Sequence, residues 1–476
     1  VQCLLPLGNR PLIDHTFEFL ALNGVSEVFI YCGAHTERVE EYVSRSRWAT
    51  TSRSSPFSVV QFVRVAGARS VGDVLRDMDK RSLVDGDFLI VHGDLVSNLR
   101  LDGALARHRK RREESAANIM TMVLRSAEGE GCRTQSKGIT PLFVVDNKTQ
   151  RVLHYDEMHP LQSDHYLSLD PAIPDELATD FDLRADLIDP QIDICTAEVL
   201  ALWTEGFDYE LPRRNFLHGV LKDWELNGKM NYTEILEDGY CARANNLQQY
   251  DAVCKDMLDG LSFPLVPGTT SDSKESYALE GTGALELSAT IAADAVVQES
   301  FVAKGTTVGA GSNITRSIIG QRCKIGNNVQ LDSCFIWDDV TIEDGTRISQ
   351  SIVADDAIVG KNCDISSGVL LSFNVHVSDN IQLSDGAVIS TVNSSGQPLT
   401  KDAGLLGSST NAATFVDEDD DDFDEEDPSQ LQKTLIYSLA NANISTSSVS
   451  TLASDVDSDE DSDDGFQTTN TERSRL

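Results

Sequence analysis

At 476 residues the chain is long enough for two or three domains with cores of their own. Its formal net charge of −37 argues against nucleic acid as a primary ligand, because neutralising phosphates needs clustered Lys and Arg. Nine cysteines, odd in number and without a Cys-x-x-Cys pair, suggest neither a disulfide framework nor a zinc site.

The charge is uneven. Residues 401–476 hold nineteen acids against four bases, a net −15, which leaves −22 for the first 400 residues. The basic run at residues 107–112 reads as one solvated helix face. Five Asn-x-Ser/Thr triplets occur, yet no signal peptide and no apolar run of membrane-spanning length accompanies them, so the expected compartment is the cytosol. The chain opens on Val1 inside what reads as a motif, and the expectation is a fragment of a longer protein.

In chain order, residues 1–260 alternate short β-rich runs with helical stretches, which predicts an α/β domain with a mostly parallel sheet. Helices are expected at 11–23, 36–48, 71–83, 101–113 and 213–226. Strands are expected at 25–33, 59–65, 87–94, 118–124, 142–145, 151–156, 192–195 and 230–236. Residues 163–184 read as a polar insertion or lid-like loop, and residues 261–285, rich in Pro, Gly, Ser and Thr, as a connector.

Between residues 291 and 389 an aliphatic residue returns every six positions, as in Val353, Val359, Ile365, Leu371, Val377 and Leu383. Upstream the step falls to five between triplets, so Val302, Ile319, Ile336 and Val353 recur every seventeen residues. A hexapeptide period marks a parallel β-helix, in which one short strand and one corner make a face and three faces close a coil. About five such coils are expected, within a domain over residues 286–392. Gly309, Gly320, Gly326 and Gly360, with Asn327, Asn328, Asp355 and Asp356, are types that accept the tight or positive-φ backbone of a corner. Residues 393–476 turn to Ser, Gly, Asn and acid, a composition that predicts a disordered acidic tail. Its one apolar patch, residues 431–439, is a candidate docking helix.

The stretch LLPLGNRPLIDHTFEFLALNGVSEVFIYCG, the HGDLVSN segment and the hexapeptide repeat together resemble the nucleotidyltransferase family of sugar-nucleotide pyrophosphorylases. That resemblance implies a Rossmann-like domain followed by a left-handed parallel β-helix. It sets Gly93 and Asp94 on the family's metal-binding Gly-Asp at a strand end, where ligands of open α/β sheets bind. Read from the residues alone, Asp94 serves equally as a turn or cap. The rest of the site departs from the family. Tyr155-Asp156-Glu157-Met158 lacks the sugar-phosphate lysine, and Arg243 stands where the second metal carboxylate is expected. A cation there repels the ion it would hold, so the reading is a degenerate site with no catalytic residue, no metal and no cofactor.

VGDVLRDMDKRSLVDGDFLIVHGDLVSN, LIDPQIDICTAEVLALWTEGFDYE, RRNFLHGVL and the acidic tail resemble one branch of that superfamily, the epsilon subunits of eukaryotic translation initiation factor 2B. The resemblance implies a subunit that promotes GDP release from initiation factor 2, pairs with a gamma subunit in a decamer, and carries its exchange-catalysing HEAT-type helical domain beyond the acidic stretch. It places Phe207, Asp208 and Tyr209 at the surface facing initiation factor 2, with Gly206 where the family has Asn. The competing reading makes Phe207 and Tyr209 core aromatics. Two rival functions remain: an active sugar-phosphate nucleotidyltransferase of the GDP-mannose pyrophosphorylase kind, and a hexapeptide acyltransferase, for which His376 is the single histidine in the repeat.

Overall fold

In the computed structural model the hexapeptide ladder closes into a three-sided parallel β-helix that packs on an α/β domain. The structure describes residues 2–415 except 33–35, 66–67, 128–131, 136–138, 159–166, 168, 170, 172, 174–179, 267–276, 281–282, 287 and 394–395. The acidic tail and most of the expected insertion lie outside the described residues.

The α/β helices follow the apolar periodicity. Leu12–Leu22 starts after Pro11, and Val71–Arg81 starts at Ser70, whose side chain accepts from the Asp73 N–H while Asp73 accepts from the Ser70 N–H. Strand Leu187–Cys195 lies between Phe88–Ile90 and Asn118–Ser126 and runs antiparallel to both, and Met230–Leu236 joins Asn118–Ser126 in parallel. The sheet is therefore mixed, not mostly parallel as expected. The cause is the connection: between Asn118–Ser126 and Leu187–Cys195 the chain makes the antiparallel strands Thr140–Asp146, Val152–Met158 and Phe181–Arg184. Parallel return requires a crossover, commonly a helix, and none intervenes there among the described residues. The helix expected at 213–226 is broken into Pro212–Leu217, wound in wide π turns, then His218–Lys222 and Trp224–Asn227. Helices Glu198–Glu205 and Leu247–Leu258 escape the sequence reading.

In the prism, six coils are followed by a seventh strand, Val388–Ser390, on the first face. Val302, Ile319, Ile336, Val353, Leu371 and Ile389 stack inward on that face, and each is almost inaccessible. The repeat is seventeen residues wherever the corner after the third face is one left-handed residue, as at Arg316, Ser333 and Gln350. The expected corner glycines need correction. Gly309, Gly320, Gly326 and Gly360 do not have positive φ. A Cβ at Gly309 would lie 2.5 Å from the Gly326 carbonyl oxygen, and one at Gly360 2.5 Å from Asp379 Oδ1, so the next coil excludes a side chain there. Positive φ falls instead on Asn328, Asp356 and Asn362, among others.

Both ends of the first face are closed by antiparallel strands. Tyr277–Glu280 pairs with Gly283–Glu286 inside the expected connector, so the prism's sheet begins earlier than residue 286. Ala413–Thr414 pairs with Val388–Ser390, and Leu406, in the short helix Ala403–Leu406, is fully buried at the prism end. Residues 396–415 are thus a folded cap, not part of the tail expected from 393. Helix Leu247–Leu258 lays Tyr250, Val253, Cys254 and Met257 on the outer side chains Phe301, Ile318 and Phe335. Tyr250 and Phe335 meet edge to face at 5.4 Å. At roughly 1.5–3 kcal/mol for each large apolar side chain buried, this contact outweighs ordinary thermal separation of the two domains.

Candidate functional site

Strands Leu95–Ser97 and Cys241–Arg243 run antiparallel with Arg243 opposite Leu95, which brings Arg243 against Asp94. Arg243 Nε donates to Asp94 Oδ1 at 2.8 Å and Nη2 to Oδ2 at 3.2 Å, while Nη1 donates to Gln191 Oε1 at 2.6 Å. Gln2 Nε2 also donates to Asp94 Oδ2, at 2.9 Å. Gly93 is close-packed against Cys3, 3.1 Å from a Cβ built at position 93. Both oxygens of the expected metal carboxylate are therefore occupied by the chain's own donors. Among the described residues no group of three or more His, Cys, Asp and Glu side chains is arranged to hold a metal ion.

Behind this pair lies a buried charge cluster. The Arg213 guanidinium donates to Asp189 at 2.6 and 3.0 Å and to Asp193 at 2.8 Å twice. A bulge in strand Leu187–Cys195 between Ile188 and Ile192 turns Asp189 inward and holds Gln191 at φ +55°, within reach of Arg243. Burial works against the Arg213 cation, but Asp189 and Asp193 outweigh it and push its pKa up. His92 sits beside this network, and burial, then the Arg243 charge, lowers its pKa to about 3. The histidine is neutral at physiological pH, so it adds no second cation.

Tyr155, Asp156 and Glu157 run along strand Val152–Met158, where Tyr155 Oη donates to Glu157 Oε1 at 3.0 Å. The structure brings Asp94 and Arg243 together. Gln2, Gln191, Asp189, Asp193 and Arg213 are the members that sequence reasoning missed. Their only prior signal was that LIDPQIDIC and RRNFLHGVL are part of the resemblance.

Phe207, Asp208 and Tyr209 form a separate group after helix Glu198–Glu205. Phe207 is 81% exposed, so it is not the core aromatic of the competing reading. Tyr209 is half-buried, edge to face with Trp203 at 6.0 Å and with Phe216 at 5.5 Å. Arg76 fixes the turn by donating to the carbonyls of Trp203, Gly206 and Tyr209 at 3.4, 3.2 and 3.1 Å, and its guanidinium lies 5.8 Å from the Phe207 ring. A Cβ at Gly206 would come within 2.4 Å of the Tyr209 ring, which explains a glycine at that position in this loop.

The chain as a whole is similar to known proteins. Residues 285–383 match the family model described as the EIF2B subunit epsilon LbH domain. Translation initiation factor eIF2B subunit epsilon of Schizosaccharomyces pombe is 46% identical over 266 residues, covering 56% of this chain and 38% of that protein. The Dictyostelium discoideum epsilon subunit is 36% identical over 285 residues, 58% of this chain and 38% of that protein. The Dictyostelium eIF2B subunit gamma is 24% identical over 385 residues, 68% of this chain and 82% of that protein. The chain thus matches a little over a third of the length of these epsilon relatives. The ladder, the α/β domain and these matches agree in one likeness: the chain is similar to translation initiation factor eIF2B epsilon subunits, and its residues 285–383 match the LbH domain of that family.

Proposed function

We propose that this chain is the assembly and substrate-docking part of a guanine-nucleotide exchange factor subunit that recycles GDP-bound initiation factor 2 in the cytosol. Its nucleotidyltransferase-like site is closed rather than active. The observation that carries this reading is the Asp94–Arg243 pair, in which a guanidinium takes the carboxylate oxygens that a Mg²⁺ would need. The exposed Phe207, with Asp208 and Tyr209, is the surface offered to initiation factor 2, and a gamma-type paralogue is the expected neighbour in a complex of eIF2B subunits. Exchange catalysis itself is assigned to a helical domain beyond the acidic stretch.

Three measurements test this. Pyrophosphate release from GTP and mannose 1-phosphate should stay at background, and robust turnover would overturn the closed-site reading. The chain should co-purify with a gamma-type subunit. Residues 1–476 alone should leave GDP release from initiation factor 2 at its spontaneous rate, and full exchange activity would refute the assignment of catalysis elsewhere.

A further inference from the structure

The loop that carries Phe207 is tied down along its backbone, while its largest side chain is left in water. The Gly206 N–H donates to the Leu202 carbonyl at 3.0 Å, the Tyr209 N–H to the Gly206 carbonyl at 3.3 Å, and the Leu211 N–H to Asn215 Oδ1 at 3.0 Å. Helix Val71–Arg81 supplies the bed beneath. The Gly72 N–H donates to the Glu210 carbonyl at 3.1 Å, and a Cβ at Gly72 would lie 2.0 Å from the Tyr209 carbonyl oxygen, so only glycine lets the loop settle this closely. One turn on, Arg76 is buried, and its Nη1 serves the carbonyls of Trp203, Gly206 and Tyr209 together while Nη2 donates to Asp73 Oδ1 at 3.0 Å. Asp73 is in turn held by the Arg69 and Ser70 N–H groups.

An exposed phenyl on a free loop can fold back onto nearby apolar surface. On a backbone fixed at both ends and from below it cannot, and such a ring loses little conformational freedom when a partner covers it, which is the character of an interface anchor. The charge around it is of one sign. Glu205, Asp208 and Glu210 lie within three residues of Phe207 and are exposed, as is Leu211 at the end of the loop. An apolar tip among carboxylates is complementary to an apolar pocket among cations.

We propose that Arg76 is the positioning residue that presents Phe207 as a preformed anchor, and that this anchor fits an apolar pocket rimmed by Lys or Arg on initiation factor 2. The inference rests on the docking role proposed for Phe207 and adds what holds the ring in place and what receives it. Lysine cannot replace Arg76 here, because one ammonium on a linear stem lacks the planar fork that reaches three carbonyls and a carboxylate.

The test is a binding cycle between GDP-bound initiation factor 2 and the full chain of residues 1–476, read by biolayer interferometry. Phe207→Ala should weaken binding about tenfold and Arg76→Lys about fivefold, whereas the double variant should be no weaker than Phe207→Ala alone. Amide exchange at residues 206–211 should quicken in Arg76→Lys while strand Leu187–Cys195 keeps the parent's protection. Glu205→Gln, Asp208→Asn and Glu210→Gln together should slow association and flatten its dependence on salt. Parent-like binding by Phe207→Ala would overturn the docking role and this proposal with it. Weakened binding by Phe207→Ala beside parent affinity in Arg76→Lys, or a double variant that loses the product of the two single losses, would leave the docking role standing and overturn the positioning role. Equal quickening of exchange in strand Leu187–Cys195 would assign Arg76 to general stability and overturn it as well. Unchanged salt dependence in the triple variant would overturn the cation-rimmed pocket.

Discussion

Arg243 Nε lies 2.8 Å from Asp94 Oδ1, and the two side chains are 14% and 6% exposed. A pair so well shielded is costly to break, because removing one partner leaves the other charge buried without compensation. Arg243→Met should destabilise the α/β domain by about 3 kcal/mol. Combining Arg243→Met with Asp94→Asn should recover about half of that loss, because a neutral amide costs less to leave unpaired. Urea midpoints of the two variants check both values. A silent Arg243→Met would mean that Asp94 is solvated, and the closed-site reading would fail with it.

The Tyr209 ring sits in a slot whose walls are glycines. Cβ atoms built at Gly206 and Gly219 fall 2.4 and 2.6 Å from the ring. Gly206→Asn should therefore eject Tyr209 from its contact with Trp203 and Phe216, at about 1–3 kcal/mol. Near-ultraviolet circular dichroism should register the lost aromatic packing. If the spectrum and the melting temperature are unchanged, the loop has a second conformation compatible with Asn.

His15 is buried with Nε2 3.3 Å from the Leu7 carbonyl oxygen, and burial, then the Arg10 charge, lowers its pKa to about 3. The fold favours the neutral ring, while the unfolded chain protonates near pH 6.5. The stabilisation is therefore complete above about pH 6.5 and is lost as the pH falls from there toward 3, at about 1.4 kcal/mol for each pH unit. His15→Gln should flatten the fall in denaturant midpoint between pH 7 and 5 relative to the parent chain. Parallel profiles would assign the acid sensitivity to other groups.

Leu406 plugs the end of the prism, where it is wholly inaccessible, and the Ser378 N–H donates to its carbonyl at 3.1 Å. Leu406→Asp should release residues 402–415 and expose the edge of strand Val388–Ser390, an open template for pairing. Sedimentation velocity should show concentration-dependent association of this variant above that of the parent. A parent-like profile would mean that the cap holds without its plug.

The ladder was legible because one inward side chain every sixth residue is a purely local rule, and each of Val302, Ile319 and Ile336 obeys it regardless of the rest of the chain. Arg243 was legible through resemblance, as the wrong residue type at a recognisable position. The Arg213 cluster was not. Asp189 and Asp193 are joined to Arg213 across twenty-four and twenty residues by a bulge that no periodicity announces. Helix Leu247–Leu258 was missed although Asn246 caps it, its side chain accepting from the Gln249 N–H, and Tyr250, Val253, Cys254 and Met257 form a regular stripe. The sheet direction failed for a similar reason, since alternation of strands and helices does not reveal an antiparallel excursion between two neighbours.

Because antiparallel strands bound the first face at both ends, the number of coils between them is a free variable. Gain or loss of seventeen residues at a corner keeps every inward side chain on its own face and moves the cap by one strand spacing, about 4.8 Å. The prism therefore acts as a ruler with discrete marks. Anything attached beyond Phe415 is carried outward or inward in whole steps relative to helix Leu247–Leu258, while the α/β domain stays seated on Phe301, Ile318 and Phe335. Length can change in this molecule without disturbing the joint between its domains.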